Sequence, residues 1–200
     1  MATPIDDILQ RLRALQDEIE DEIDTRRAAL SYRVEQGRIT FEAEVRARHR
    51  AAQIRLGTFL RNTPVLVILT VPVIYALLIP FVLLDLFVTV YQAVCFPIYG
   101  IAKVRRRDYI AIDRHQLAYL NAVQKVNCVY CGYCNGLIAY VREIAGRTEQ
   151  YWCPIKHARR VKGTHDHYAR FPDYGDAETY QARLQALRDA LRDLETRRDG

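Results

Sequence analysis

The sequence predicts a mainly α-helical membrane protein, built from an apolar helical hairpin, amphipathic helices of coiled-coil character at both ends, and a small cysteine-bearing β-hairpin. Three observations carry this prediction. Residues 62 to 102 form a run of 41 residues whose only charged member is Asp85. Apolar residues recur at alternating spacings of three and four near each terminus. Four of the five cysteines, Cys128, Cys131, Cys134 and Cys153, fall within 26 residues. With 200 residues and 50% hydrophobic side chains the chain is too apolar for a disordered tail, and an apolar run beginning at residue 62 reads as an internal membrane segment, not a cleaved leader. Four segments follow: residues 1–61, amphipathic and then basic; 62–102, the transmembrane hairpin; 103–175, a cytoplasmic metal-binding module; and 176–200, a C-terminal amphipathic helix.

From the N-terminus, residues 4 to 35 are expected to form a helix. Ile5, Ile8, Leu12, Leu15 and Ile19 make its stripe, widened by Leu9, Ile23 and Leu30. Thr3 before Pro4 suits an N-cap and a first-turn proline, and Asp6 and Asp7 suit the positive end of the helix dipole. Gly37 interrupts it, and a second, arginine-rich helix is expected from Thr40 to Arg61.

The apolar run would be roughly 60 Å long as one helix, twice a hydrocarbon core of about 30 Å. Two helices, near Pro64 to Leu83 and Leu86 to Ala102, would fit the core with Asp85 at the turn, where a carboxylate meets water; a re-entrant loop is the alternative. Pro72, Pro80 and Pro97 each remove a helix hydrogen bond, so kinks are expected. Both flanks are basic, with Arg46, Arg48, Arg50, Arg55 and Arg61 before the run and Lys103, Arg105, Arg106 and Arg107 after it. The positive-inside bias then places both termini in the cytoplasm of a bacterial inner-membrane protein. The same flanks suit anionic lipid headgroups, at about 1 kcal/mol per residue near the surface, better than they suit nucleic acid.

A short helix is expected from Asp108 to Lys125, followed by the cysteine module. It contains Cys128-Val-Tyr-Cys131-Gly-Tyr-Cys134, an apolar run from Leu137 to Ile144, a polar turn, and then Cys153-Pro154-Ile155-Lys156-His157. A cytoplasmic location favours metal binding or redox chemistry over disulfides. Gly136 and Gly146 punctuate two strand-like runs, Leu137 to Ile144 and Glu149 to Trp152, and a hairpin of these would carry Cys153 back beside the first cysteines. The tyrosines Tyr130, Tyr133, Tyr140, Tyr151, Tyr168 and Tyr174 would form a small core around it.

Cys-x2-Cys-Gly resembles the metal knuckle of zinc ribbons and rubredoxins, in which a tight turn offers two thiolates to one ion. The resemblance implies a tetrahedral structural zinc site of Cys128, Cys131, Cys153 and His157, with Cys134 as the alternative fourth ligand. Such a site supplies on the order of 10 to 16 kcal/mol toward folding. The second pair is Cys-x3-His where a ribbon has Cys-x2-Cys. Cys128, Cys131, Cys134 and Cys153-Pro154 also resemble elements of bacterial ferredoxins, which implies iron or an iron-sulfur cluster, although a ferredoxin spaces its fourth cysteine much closer. The whole string from Asn127 to His157 is similar to an uncharacterised family of bacterial integral-membrane proteins with a cytoplasmic cysteine module.

His165-Asp166-His167 offers two imidazoles on one side of an extended chain with the carboxylate facing away, and reads first as a solvated loop and second as a metal or general-base site. Lys156, Arg159, Arg160 and Lys162 read first as a solvated basic face and second as a phosphate or headgroup site. No Gly-rich phosphate loop, nucleophile elbow or His-Glu-x-x-His motif is present. These observations point away from an enzyme, toward a membrane-bound interaction or assembly platform; a membrane-attached redox protein is the alternative. Tyr180, Leu184, Leu187, Leu191 and Leu194 form a C-terminal seam, expected to pack on the N-terminal stripe within one chain or between two, on the cysteine module as core, or in a coiled coil of a homodimer or with another protein.

Overall fold

The computed structural model describes residues 4–29, 32–35, 38–41 and 43–194. They form α1 (Pro4–Ala29), β1 (Tyr32–Glu35), β2 (Arg38–Phe41), α2 (Ala43–Ala51), α3 (Leu56–Asn62), α4 (Val65–Ala76), α5 (Leu78–Tyr99), α6 (Ala122–Trp152) and α7 (Ala177–Arg192). Contacts divide the chain into two units, residues 1–64 with 113–129, and residues 65–112 with 130–200. The expected helix over residues 4 to 35 ends at Ala29, and Gly37 and Leu30 lie outside the described residues.

In the first unit, β1 and β2 form an antiparallel pair in which Tyr32 faces Phe41 and Glu35 faces Arg38. The single arginine-rich helix expected from Thr40 to Arg61 is divided into β2, α2 and α3. The His49 ring sits edge-on between Phe41, at 4.9 Å, and Tyr119, at 5.2 Å, and the Gln53 amide donates to the Leu120 carbonyl at 2.8 Å. Irregular chain replaces the helix expected from Asp108, with one short 3-10 turn, Arg114–Gln116, in this unit and another, Arg106–Asp108, in the second. α6 opens on a reciprocal capping box: Asn121 Oδ1 accepts from the Gln124 N–H and Gln124 Oε1 from the Asn121 N–H, each at 3.0 Å.

In the second unit the apolar residues do not make the expected hairpin. They form one helical run, Val65–Tyr99, of 35 residues, interrupted only by a turn residue, Leu77. Pro80 accounts for the interruption, because it has no N–H for the Ala76 carbonyl and its ring crowds that oxygen. Pro72 and Pro97 lie inside α4 and α5 without ending them. Asp85, expected at a turn, lies in the interior of α5. The Leu83 to Val88 stretch has no Gly, Asn or Pro to reverse the chain, so helix propagation continues through it.

The expected zinc-ribbon-like β-hairpin is absent as well. Cys128, Cys131 and Cys134 lie on α6, a continuous helix of 31 residues. Its buried positions, Leu137, Tyr140, Ile144, Arg147 and Gln150, step by three and four. The two glycines are contact points inside the helix. A methyl group on Gly136 would lie 2.7 Å from the Tyr109 carbonyl oxygen and 2.8 Å from Ile110 Cα, and one on Gly146 would lie 2.9 Å from the His165 ring.

The core of this unit joins Phe96 of α5, Ile101 and Val104 of the following segment, Leu137, Tyr140 and Ile144 of α6, and Leu191 of α7. The Gln92 amide crosses it. Its Oε1 accepts from the Val104 N–H at 2.6 Å while its Nε2 donates to Tyr140 Oη at 2.8 Å and to the Val104 carbonyl at 3.3 Å. α7 starts at an Asp176 cap, which accepts from the Thr179 N–H at 3.2 Å. Leu184, Leu187 and Leu191 of the C-terminal seam are buried, Leu191 within this core, whereas Ile8, Leu12, Leu15, Ile19 and Ile23 of α1 are exposed. Gln150 donates to the Leu187 carbonyl at 2.7 Å, and Arg188 donates to the Tyr151 carbonyl at 2.9 Å while its guanidinium lies over the Tyr151 ring.

Candidate functional site

The helix separates the sequence-predicted ligands. Cys128 and Cys131 are one turn apart on α6 and Cys134 is a further turn on, while Cys153 follows the end of the helix. A rise of 1.5 Å per residue sets Cys128 and Cys153 about 37 Å apart along the axis, and no single ion spans that distance. Neither the Cys128, Cys131, Cys153, His157 set nor the iron-type set with Cys134 is brought together. Among the described residues no group of three or more His, Cys, Asp or Glu side chains is placed to hold a metal ion. Cys134 is buried, and desolvation pushes its thiol up from the usual range, against the thiolate form that metals and electrophiles require. His157 stacks on Tyr168 and donates its backbone N–H to Tyr168 Oη at 2.6 Å.

The tyrosines expected to form one core are spread along α6 and the chain that follows it. Tyr130 donates to the Ile74 carbonyl at 3.0 Å, Tyr140 lies in the core, Tyr151 stacks on Tyr99, and Tyr174 is exposed.

Two polar clusters on α6 are what the structure does assemble. In the first, Asp85 pairs with Arg106, accepts from Tyr133 Oη at 2.8 Å and takes the Thr89 hydroxyl at 3.4 Å. The lone carboxylate of the apolar helix is thus neutralised by a cation twenty-one positions later, with the Arg106 guanidinium 6.0 Å from the Tyr133 ring centroid.

The second cluster ties the loop after α6 back onto that helix. His165 Nε2 meets Glu149 Oε2 at 2.7 Å, and His167 Nε2 lies 3.2 Å and 3.3 Å from the two carboxylate oxygens of Glu143. Glu143 also accepts from Arg147 Nε at 2.7 Å, and Arg147 donates to the Ala102 carbonyl at 2.6 Å. Arg142 donates to the Thr164 carbonyl. Burial opposes the charge on Glu143, but the His167 and Arg147 donors outweigh it and hold the carboxyl at about 2. Both imidazoles face the helix and Asp166 is exposed, but the triplet is a turn and not the expected extended chain, since the Tyr168 N–H donates to the His165 carbonyl at 3.1 Å. The triplet's partners were missed, because Glu143 and Glu149 carry no mark in the sequence except an i, i+4 pairing of Glu143 with Arg147.

A cavity of ≈ 210 Å³ lies beside this clamp, lined by Arg142, Glu149, His157, Thr164, His165 and Tyr168 among others. Among these, Glu149 and His165 pair with each other, Arg142 donates to the Thr164 carbonyl, and Tyr168 Oη accepts from the His157 N–H. The unpartnered His165 Nδ1 is buried, and the ring edge that carries it packs on Gly146. The arrangement positions the loop against α6. A search for similar proteins finds no family model, no curated protein and no solved structure that matches the chain.

Proposed function

We propose that the protein is a membrane-seated interaction or assembly platform, in which the apolar helix holds the chain in a bilayer and the folded part around α6 and α7 is presented at its surface. The observation that carries this reading is the exposure of the Val65–Tyr99 helix: none of its most apolar 18-residue window is buried within the protein. An apolar surface of that extent is unstable in water. α4 is apolar around its whole circumference, which suits hydrocarbon on every side. α5 differs. Phe81, Asp85, Val88, Gln92 and Phe96 turn inward, while Val82, Leu83, Leu86, Phe87, Val90, Val94 and Ile98 form an exposed apolar stripe on the other side. A helix with one apolar exposed face and one docked face suits the plane of a membrane interface.

At about 1.5 Å per residue the whole run is roughly 52 Å long, well beyond one hydrocarbon core. Seating in one leaflet without crossing would leave Arg46 to Arg61 and Lys103 to Arg107 both at the cytoplasmic surface, against anionic headgroups. Two experiments test the proposal. Alkaline carbonate should leave the protein in the membrane pellet and detergent should release it; release by carbonate alone overturns the membrane seat. Reporter fusions after Arg50 and after Arg107 should report the same side, and opposite sides would make the helix a crossing.

A further inference from the structure

The N-terminal helix α1 carries an apolar seam that the rest of the described protein leaves uncovered: Ile8, Leu12, Leu15, Ile19 and Ile23 are each between 41% and 61% exposed. We infer that this seam pairs with α1 of a second copy of the chain, in antiparallel orientation. The other apolar seam of matching period, on α7, is already buried within its own chain through Leu184, Leu187 and Leu191. A bilayer surface fits poorly. Residues 17 to 24 carry six acids, Asp17, Glu18, Glu20, Asp21, Glu22 and Asp24, and no base. Interfacial helices carry Lys and Arg on the polar face and are drawn to anionic lipid, from which this block is repelled.

Charge also selects the orientation. Arg11 and Arg13 stand in the first half of α1 and the acidic block in the second. A parallel pair would lay the acidic block of one copy along the acidic block of the other. An antiparallel pair centred between Leu12 and Leu15 sets Leu12 against Leu15 and Ile8 against Ile19 of the second copy, and by symmetry the reverse. It also brings Arg11 beside Glu18 of the second copy at the edge of the seam, twice per dimer. Within one chain Arg11 pairs, among the described residues, with Asp7 at 2.9 Å on an exposed surface, an i, i+4 pair that the intermolecular partner can replace.

The inference does not depend on the membrane reading, since crosslinking is read both in membranes and after detergent release. The experiment uses the full chain with its five native cysteines changed to serine. Chains bearing Ile8→Cys and Ile19→Cys are co-expressed and oxidised, and each is also oxidised alone. The mixture should form disulfide-linked dimers at least tenfold more than either chain alone. Efficient Ile8 to Ile8 linkage would show a parallel pair and overturn the proposal, as would linkage in no combination. The seam substitutions are supported by a surface pair that leaves the helix intact. Arg11→Glu should reduce the dimer fraction severalfold and Arg11→Glu with Glu18→Arg should restore it. Loss of dimer without that rescue overturns the orientation, and no loss with Arg11→Glu overturns the charge selection on which it rests.

Discussion

Glu143 keeps its charge in a place where burial alone would remove it, and the balance is measurable. Its carboxyl sits at about 2 against an ordinary 4.5 because His167 and Arg147 both donate to it. A depressed carboxyl stabilises the fold above its unfolded value, and that contribution is lost as pH falls through the folded one. It amounts to roughly 3 kcal/mol at neutral pH by 1.36 kcal/mol per unit. Acid unfolding followed by circular dichroism should therefore show a loss of stability between about pH 4.5 and pH 2 that Glu143→Gln removes. The same substitution should cost about 3 kcal/mol at pH 7, since it leaves the Arg147 guanidinium, 2% exposed, without its counter-charge. Gly136 makes a second residue-scale prediction. Alanine normally gains about 1 kcal/mol over glycine inside a helix. Here its methyl group would meet backbone atoms of Tyr109 and Ile110 at 2.7 and 2.8 Å, so Gly136→Ala should lower thermal stability by about 1 to 3 kcal/mol.

At the scale of elements, the segment after α5 is held by a side chain that imitates a peptide. Gln92 offers Val104 an acceptor and a donor as a neighbouring strand would, at 2.6 and 3.3 Å. Gln92→Leu keeps the volume and leaves the Val104 N–H and carbonyl buried without those partners, which costs about 1 to 3 kcal/mol. Chemical denaturation of the detergent-solubilised protein should show that loss, with unchanged helix content. The long elements were legible where periodicity ran unbroken: the helix over α1, the C-terminal helix with its Asp176 start, and the apolar character of residues 62 to 102 all follow from spacing and composition. The cysteine region was misread because Gly136 and Gly146 look like punctuation in a one-dimensional string. In space each is the place where another part of the chain lies against the helix. The hairpin in the apolar run was inferred from its length, from the basic flanks at both ends and from the lone Asp85, none of which turns a chain whose Leu83 to Val88 stretch holds no Gly, Asn or Pro. Of the polar clusters, Asp85 was conspicuous as a lone charge, but its partners Arg106 and Tyr133 lie 21 and 48 positions away. No local pattern points to them.

For the whole molecule, separation of the cysteines along α6 gives a prediction opposite to that of a metal-nucleated module. Cys128→Ser and His157→Ala should each shift the melting temperature by no more than about 2 °C, and a strong chelator should leave the unfolding transition where it was. Surface substitutions away from packed features stay within about 0.5 kcal/mol, whereas loss of a structural zinc would remove on the order of 10 kcal/mol. A collapse of the fold on chelation would mean that the thiols converge in a way this architecture does not provide.

α5 and α6 also run in the same direction. Their contacts advance together, Asp85 with Tyr133, Gln92 with Tyr140, and Tyr99 with Tyr151. Two parallel helices need a return connection, and here it is the chain between Tyr99 and Ala122. During synthesis, then, the Asp85 carboxylate leaves the ribosome 48 residues ahead of the Tyr133 hydroxyl that will bind it. At about 5 to 20 residues per second that interval is several seconds, during which the inner face of α5 is uncovered. Order of assembly follows from order of translation: on the membrane seating proposed above, lipid would receive the apolar helix before α6 can cover the inner face of α5. A pulse-chase measurement on chains truncated before Tyr130 should accordingly find them already membrane-associated.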